Sequence, residues 1–373
     1  MKEVLILQFF LIVAIFGNAQ IFEIDTIQYS GDGDKRINIV ILSDGYQENE
    51  LDQFVVDANN FSDAFFAKTP YLEYQNYFNV FAIKVPSNES GASHPGTASD
   101  VAEPAHPISM VDNYFGSTFD GGGIHRLLVV GNTSAVSNVL ALNFPTYDQV
   151  LILANTTYYG GSGGTFPVAS LDESSNEIAI HEIGHSFARL VDEYYAGDQF
   201  AGEGVNMTQT TDPLAVRWKN WISSNGIGIY QHCCSGNSGD WFRPHENCIM
   251  RYLNRSFCSV CIEGTIERIH SLILPIDDFA PSNSTTIIAT ENPIGFSINT
   301  VDPLPNTLQT NWSLNGLNFE NNTNVAMVTN SDLNVGENTL TVSVEDTTQL
   351  LRVDDHEIAH IQFVIWSIEN NTV

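Results

Sequence analysis

The chain has 373 residues, with 14 basic against 44 acidic side chains and a formal net charge of −30. That length exceeds what one hydrophobic core usually serves, so two or three domains are expected. Nucleic acid and anionic lipid both need Lys and Arg to neutralise phosphate, and a charge of this sign excludes them as partners.

The opening MKEVLILQFFLIVAIFGNAQ has Lys2, an apolar run from Val4 to Phe16 broken by Gln8, and the small residues Gly17 and Ala19. This is a signal-peptide layout over residues 1–19, with an apolar part too short for a membrane span. Export with cleavage near Ala19 is expected, to the periplasm, the cell surface or the medium. No later stretch is apolar enough to cross a bilayer. Export implies an oxidising compartment, and Cys233, Cys234, Cys248, Cys258 and Cys261 fall within 29 positions of one another. Local disulfides are therefore expected, with the odd thiol left free, paired between chains or bound to a metal.

RINIVILSDGY (36–46) reads as a buried strand ending in a turn, with Asp44 a turn residue. ENELDQFVVDANNFSDAFFAKTPYLEY reads as an amphipathic helix, its Leu51, Phe54, Val55, Ala58, Phe61, Ala64 and Phe65 recurring at three and four. FNVFAIKV (78–85), HRLLVVGN (125–132) and DQVLILAN (148–155) read as further strands, so this half is α/β. The glycine-rich YYGGSGGTF (158–166) lacks the Lys-Ser/Thr ending of a phosphate loop and reads as a flexible or edge-strand loop. From Asp277, DDFAPSNSTT reads as a linker. TIIAT, IGFSIN, LQTNWSLNG, NTLTVSVED and AHIQFVIWSI then read as strands of a β-sandwich, immunoglobulin-like in architecture, with Trp312 and Trp366 in its core.

HExxH occurs twice, as HEIGH (181–185) and HEIAH (356–360). Two imidazoles four apart converge on one ion only on an α-helix; in a strand they stand about 13 Å apart. Around the first copy, Ile180, Ile183, Phe187, Leu190, Val191 and Tyr194 keep helical spacing, SSNE (174–177) offers a cap, and Gly197 lies past the end. Around the second, Ala359, Ile361, Phe363 and Ile365 alternate with His360, Gln362, Val364 and Trp366, the period of a strand. HEIGH is therefore the candidate metal site.

Asp192 follows His185 by seven residues, so on a straight helix it points within about 20° of both histidines but nearly two turns away. It reaches a shared ion only if the helix ends or bends after His185. Met250 in CIMRY (248–252) is placed to form an apolar floor under such a site, with core packing as the plain reading, and Tyr252 could reach the metal or an oxyanion. Cys258 and Cys261 of FCSVC could brace that turn, by disulfide with Cys248 or the Cys233–Cys234 pair, or as a structural metal half-site.

HEIGHSFARLVDEYY resembles the zinc helix of the IgA peptidase family, secreted zincins with metzincin-like features. RINIVILSDGY, FNVFAIKVPSNESGASHPG, YDQVLILANTTYYGGSGG, RWKNWI, NCIMRY and FCSVC are similar to family positions too, over roughly residues 30 to 275. The resemblance implies an α/β zincin-like catalytic domain with a Met-turn (111–275), preceded by an α/β region packed on or part of it (20–110) and followed by the immunoglobulin-like β-sandwich (276–373). It implies His181 and His185 as zinc ligands, Glu182 as catalytic base, Asp192 as third ligand with Glu193 its rival, and, by the Met-turn analogy, Tyr252 as oxyanion stabiliser. The usual metzincin order would put the third ligand at Val191, a departure from the pattern.

Zinc on two histidines and one carboxylate leaves a position for water, and Glu182 would move that water's proton to the leaving amine. The expected activity is endopeptidase action on protein substrates, with immunoglobulin or other glycoproteins among the candidates. A non-catalytic adhesin or glycan-binding protein with a structural zinc helix, and a hydrolase of a non-peptide amide, are the rival readings. Calcium on carboxylate-rich loops is compatible with the composition but has no motif here.

Overall fold

The computed structural model describes residues 20–354 and 360–371. The signal-peptide reading and residues 356–359 of HEIAH lie outside the described residues. The α/β half contains β1 (Glu23–Gln28), β2 (Ile37–Asp44), α1 (Leu51–Phe66), β3 (Phe78–Lys84), β4 (Ser117–Thr118), β5 (Val129–Val130), α2 (Thr133–Asn143), β6 (Gln149–Ala154), β7 (Gly161–Ser162), β8 (Val168–Ala169), α3 (Ser175–Ser186), β9 (Tyr230–Gln231), β10 (Phe242–Arg243) and α4 (Ser259–Leu272).

Six of these strands form one sheet in the order β1-β3-β2-β6-β8-β7, parallel at its centre and antiparallel at both edges. Every residue of β2 and β6 is buried, because both faces are covered and the run has no reason to alternate polar with apolar. Ile37, Ile39, Ile41, Leu151 and Leu153 pack on one face with Phe54, Phe61 and Phe65 of α1 and Ile180 and Ile183 of α3. Val40, Leu42, Val150 and Ile152 pack on the other with Val136, Val139 and Leu140 of α2. Strands from residues 20–110 and 111–275 thus share one sheet and its two cores.

The amphipathic stretch is helical only to Phe66; the chain after it turns, with a cis Thr69–Pro70 bond. HRLLVVGN contributes two strand residues, paired with β4 outside the main sheet. Asp44 is buried, and its carboxylate accepts the backbone N–H groups of Phe115 (2.9 Å) and Ser117 (3.0 Å), which ties the long connection after β3 to the end of β2.

The C-terminal part contains β11 (Ile276–Ala280), β12 (Ile287–Ile288), β13 (Ile294–Thr300), β14 (Leu308–Leu314), β15 (Leu317–Asn321), β16 (Val325–Val328), β17 (Gly336–Asp346) and β18 (Ile361–Asn370). Two sheets, β11-β13-β16 and β12-β18-β17-β14-β15, enclose one apolar core. Trp312 and Trp366 lie inside it, fully buried, with rings stacked 5.8 Å apart. DDF belongs to strand β11 rather than to a linker: Ile276 is buried, Phe279 packs on the core, and of the two aspartates only Asp278 is exposed. In β18, Val364, Trp366 and Ile368 point inward and Phe363 and Ile365 outward, the alternation of a half-covered strand.

The two parts meet at a buried polar contact. Asp346, fully buried, accepts from Tyr74 Oη (2.5 Å), His270 Nε2 (3.0 Å), Thr307 Oγ1 (2.6 Å) and the Thr348 N–H (3.1 Å). Arg36 pairs with Asp277 at 2.9 Å, and the Arg352 guanidinium lies 4.1 Å over the Trp221 ring. Burial alone would raise the Asp346 carboxyl, but the bonds from His270, Thr307 and Tyr74 outweigh it and hold the group below its ordinary range. Asp346→Ala strands several buried donors and should cost on the order of 3 kcal/mol in thermal or denaturant unfolding. Since a depressed carboxylate stabilises above its unfolded pKa and loses that contribution as pH falls through the folded value, the gap between variant and wild type should shrink only in acid below about pH 4.

Candidate active site

Helix α3 carries HEIGH. Ser174 N–H bonds to Asp172 Oδ1 at 2.9 Å at its start, and the helix ends at Ser186, well before the spacing of apolar residues suggests. Arg189 takes the left-handed conformation (φ 57°), its N–H bonds to His185 O (3.1 Å), and the Leu190 N–H returns to Gly184 O (3.0 Å). Phe187 and Leu190 stay buried without helical geometry, which is why periodicity alone overran the boundary. The turn brings Asp192 back against the helix that carries the two histidines.

His181 Nε2, His185 Nε2 and Asp192 Oδ1 stand 3.0, 3.1 and 3.1 Å from one another. His181 Nδ1 faces Ile249 O at 3.0 Å and His185 Nδ1 faces Leu190 O at 2.7 Å. A carbonyl only accepts, so both Nδ1 atoms carry hydrogen and the Nε2 lone pairs turn toward Asp192. Three acceptors at this separation require a proton or a cation between them. Ligands about 2.0–2.1 Å from a tetrahedral ion lie roughly 3.3 Å apart, so the donor set fits zinc. Without an ion, burial opposes charge on both partners, yet the hydrogen bonds between them win: Asp192 is held well below the usual carboxylate range and His185 is pushed up to about 9.

Glu182 sits on the same helix with its carboxyl raised, chiefly by burial and against the pull of His181 and His185. It lines a cleft of about 240 Å³ with Arg126, Tyr159, Gly161, His181 and Tyr194. The glycine-rich stretch forms the wall: β7 is the edge strand of the main sheet, and a Cβ on Gly163 would come within 2.3 Å of Glu182 Oε2. Met250 is fully buried beneath the helix, and a Cβ on Gly184 would meet its sulfur at 3.0 Å.

Of the other residues singled out by sequence, Glu193 is turned away from the cleft. It is fully buried and bonds Asn206 Nδ2 (2.9 Å) and Cys261 Sγ (3.5 Å). Tyr252 is half-exposed and lines an adjoining cleft with Glu193 and His232, its ring under the Arg251 guanidinium. Tyr194 faces the Glu182 cleft instead, its ring 6.3 Å from that of His181 and its hydroxyl pushed up to about 12 by burial and by the charges of Asp192 and Glu182. Helical spacing in the sequence places Tyr194 on a helix face and no motif marks Arg126; only the turn after Ser186 reveals the tyrosine.

No cysteine pair among the described residues lies at the roughly 2.05 Å of a disulfide. Cys233 and Cys234 sulfurs are 2.9 Å apart, and buried Cys261 stands 3.7 Å from Cys248 and 3.6 Å from Cys258.

The cleft thus has a side-chain cluster that could hold a metal ion beside it. The profile of the IgA Peptidase M64 family matches residues 25–229, and the chain belongs to that family. The match spans α3 and Asp192 and stops short of the Cys248–Cys261 segment and of the C-terminal sheets. No curated protein matches. A quinonprotein alcohol dehydrogenase-like protein from Bacteroides thetaiotaomicron is similar over 26% of this chain and 20% of its own, at 10% identity and a TM-score of 0.18. So partial a likeness carries no argument.

Gly163→Ala tests the wall of the cleft. The methyl meets the movable end of Glu182, so stability should change by less than about 1 kcal/mol while peptide hydrolysis falls at least roughly tenfold as the carboxylate is displaced. Unfolding curves and turnover of the same preparation check both.

Proposed function

We propose that the protein is an exported zinc-dependent endopeptidase in which His181, His185 and Asp192 hold the metal and Glu182 is the general base. The convergence of three acceptor atoms within 3.1 Å, each imidazole oriented by a backbone carbonyl, is the observation that supports it most. Zinc bound there supplies a Lewis acid that acidifies water and polarises the scissile carbonyl. Glu182, one residue from a ligand and aimed into the cleft, takes the proton of the attacking water and passes it to the leaving amine. Tyr194, with Arg126 beside it, is better placed than Tyr252 to donate to the developing oxyanion.

Met250 beneath α3 supports the Met-turn reading. The strand order β11-β13-β16 against β12-β18-β17-β14-β15, with β12 parallel to β18, supports an immunoglobulin-like sandwich. The three buried sulfurs belong to the same reading: thiolates about 2.3 Å from one tetrahedral ion stand roughly 3.8 Å apart, close to the observed 3.6 and 3.7 Å, and Glu193 completes the set. A non-catalytic adhesin needs no buried carboxylate beside its metal ligands, and nothing in the site favours that reading.

Elemental analysis should find the zinc content of His181→Ala one equivalent per chain below wild type, while His356→Ala keeps it. Glu182→Gln should keep zinc and lose hydrolysis by about 10²–10⁴-fold; a zinc-loaded variant with wild-type turnover sinks the assignment. Because the ion must displace a proton from His185, its affinity should rise with pH up to about 9. Alkylation of the chelated, denatured, unreduced protein should modify Cys248, Cys258 and Cys261 together; loss of two of the three to a disulfide contradicts the thiolate brace.

A further inference from the structure

The connection from Val85 to Gly116 contains no strand or helix, only isolated bridges from Ser93 to Thr118 and from His94 to Ser109. Loops of that length within a compact domain usually carry function or are held by something other than their own core. Its far end, continued to His125, gathers ligand atoms of His94, Glu103, Asp120 and His125 within 4.8 Å of one another, with His106 beside them.

Several features of this cluster point to an ion rather than to ordinary pairing. His94 is almost fully buried, and its Nδ1 faces Pro107 O at 3.1 Å, which leaves the Nε2 lone pair pointing inward. That Nε2 lies 3.2 Å from Glu103 Oε2 and 3.7 Å from Asp120 Oδ1, yet makes no aligned hydrogen bond to either. His125 Nδ1 stands 3.3 Å from Glu103 Oε1 and 3.1 Å from Asp120 Oδ1. These separations are close to the roughly 3.3–3.6 Å between neighbouring ligands of a tetrahedral ion, Glu103 turning one oxygen to each imidazole, and His94 Nε2 is left without a hydrogen-bond partner. Two carboxylates brought together in a chain of charge −30 also concentrate negative charge that a divalent cation offsets.

We propose that His94, Glu103, Asp120 and His125 form a further, structural binding site for a divalent transition ion of the zinc class, distinct from the cluster on α3 and from the cysteine cluster. Two imidazoles and two carboxylates suit zinc, whereas calcium and magnesium take shells of oxygen. Four protein ligands close the coordination sphere, the mark of a structural rather than a catalytic site. The ion would staple the connection to the cleft wall. Arg126 follows His125 directly and lines the Glu182 cleft, its carbonyl accepts the Gly161 N–H of edge strand β7 at 3.1 Å, and Tyr158 stacks on His106 with ring centroids 4.1 Å apart.

The test uses the full exported chain, stripped with chelator and reloaded with zinc alone, as wild type, His181→Ala, Glu103→Gln and the double variant His94→Ala/His125→Ala. Elemental analysis should find the double variant one equivalent per chain below wild type and His181→Ala independently one below, the two losses adding in the combined variant. Cobalt loaded into His181→Ala should give visible ligand-field bands, with a component that adding Glu103→Gln, which keeps the side-chain volume, weakens. Protease cleavage between residues 95 and 116 should be suppressed by zinc in wild type and in His181→Ala, and unaffected by zinc in Glu103→Gln. Equal zinc content in wild type and the double variant, or cleavage that ignores zinc in all of them, overturns the site whatever becomes of the peptidase assignment, which the His181→Ala arm tests by itself.

Discussion

The site depends on a local constraint: three acceptor atoms, His181 Nε2, His185 Nε2 and Asp192 Oδ1, are forced within 3.1 Å of each other in a half-buried place. Lone pairs do not share such a space without positive charge between them. The chain secures the crowding in advance. Carbonyls of Ile249 and Leu190 fix both rings, and the left-handed turn at Arg189 fixes the carboxylate. Since Leu190 both closes the helix and orients His185, ending α3 after Ser186 and shaping the site are the same structural event.

The rest of the fold supports that event from below and behind. A sheet covered on both faces gives α3 a rigid apolar bed, and Gly184 lets Met250 approach the helix. The Cys248–Met250 segment supplies the carbonyl that holds His181, while Glu193, next to Asp192, reaches Cys261. Both sides of the site are thus tied to α4, whose His270 bonds Asp346 of the C-terminal sheets. Rigid placement of this kind suits a centre that must be organised before its ligand arrives.

Much of this was legible in the chain. HEIGH stood out from HEIAH because apolar spacing of three and four differs from spacing of two, and β2, β3 and β6 were visible as apolar runs. Asp192 was legible only conditionally, since a straight helix would carry it about 10 Å past His185. Leu190, Val191 and Tyr194 kept helical spacing although Leu190 packs in the core from a turn, so the stop was hidden. Tyr194 was hidden with it, and so was the outward facing of Tyr252. The polar face of β11 read as a linker because a strand of a two-sheet sandwich has one face to bury.

By itself the sequence determined what short-range periodicity and residue chemistry can encode: an α/β half, a β-rich C-terminal part, a helix bearing two histidines and a glutamate, and a charge that turns away phosphate. Tertiary structure decided whatever depends on residues distant in the chain meeting in space. It turned Asp192 toward the histidines and Glu193 toward the cysteines, held three sulfurs near one another without a bond, and gathered His94, Glu103, Asp120 and His125 from a connection with no pattern of its own. A ligand set is a matter of distances, and distance along a chain says little about distance in space once a helix has stopped and the backbone has turned back.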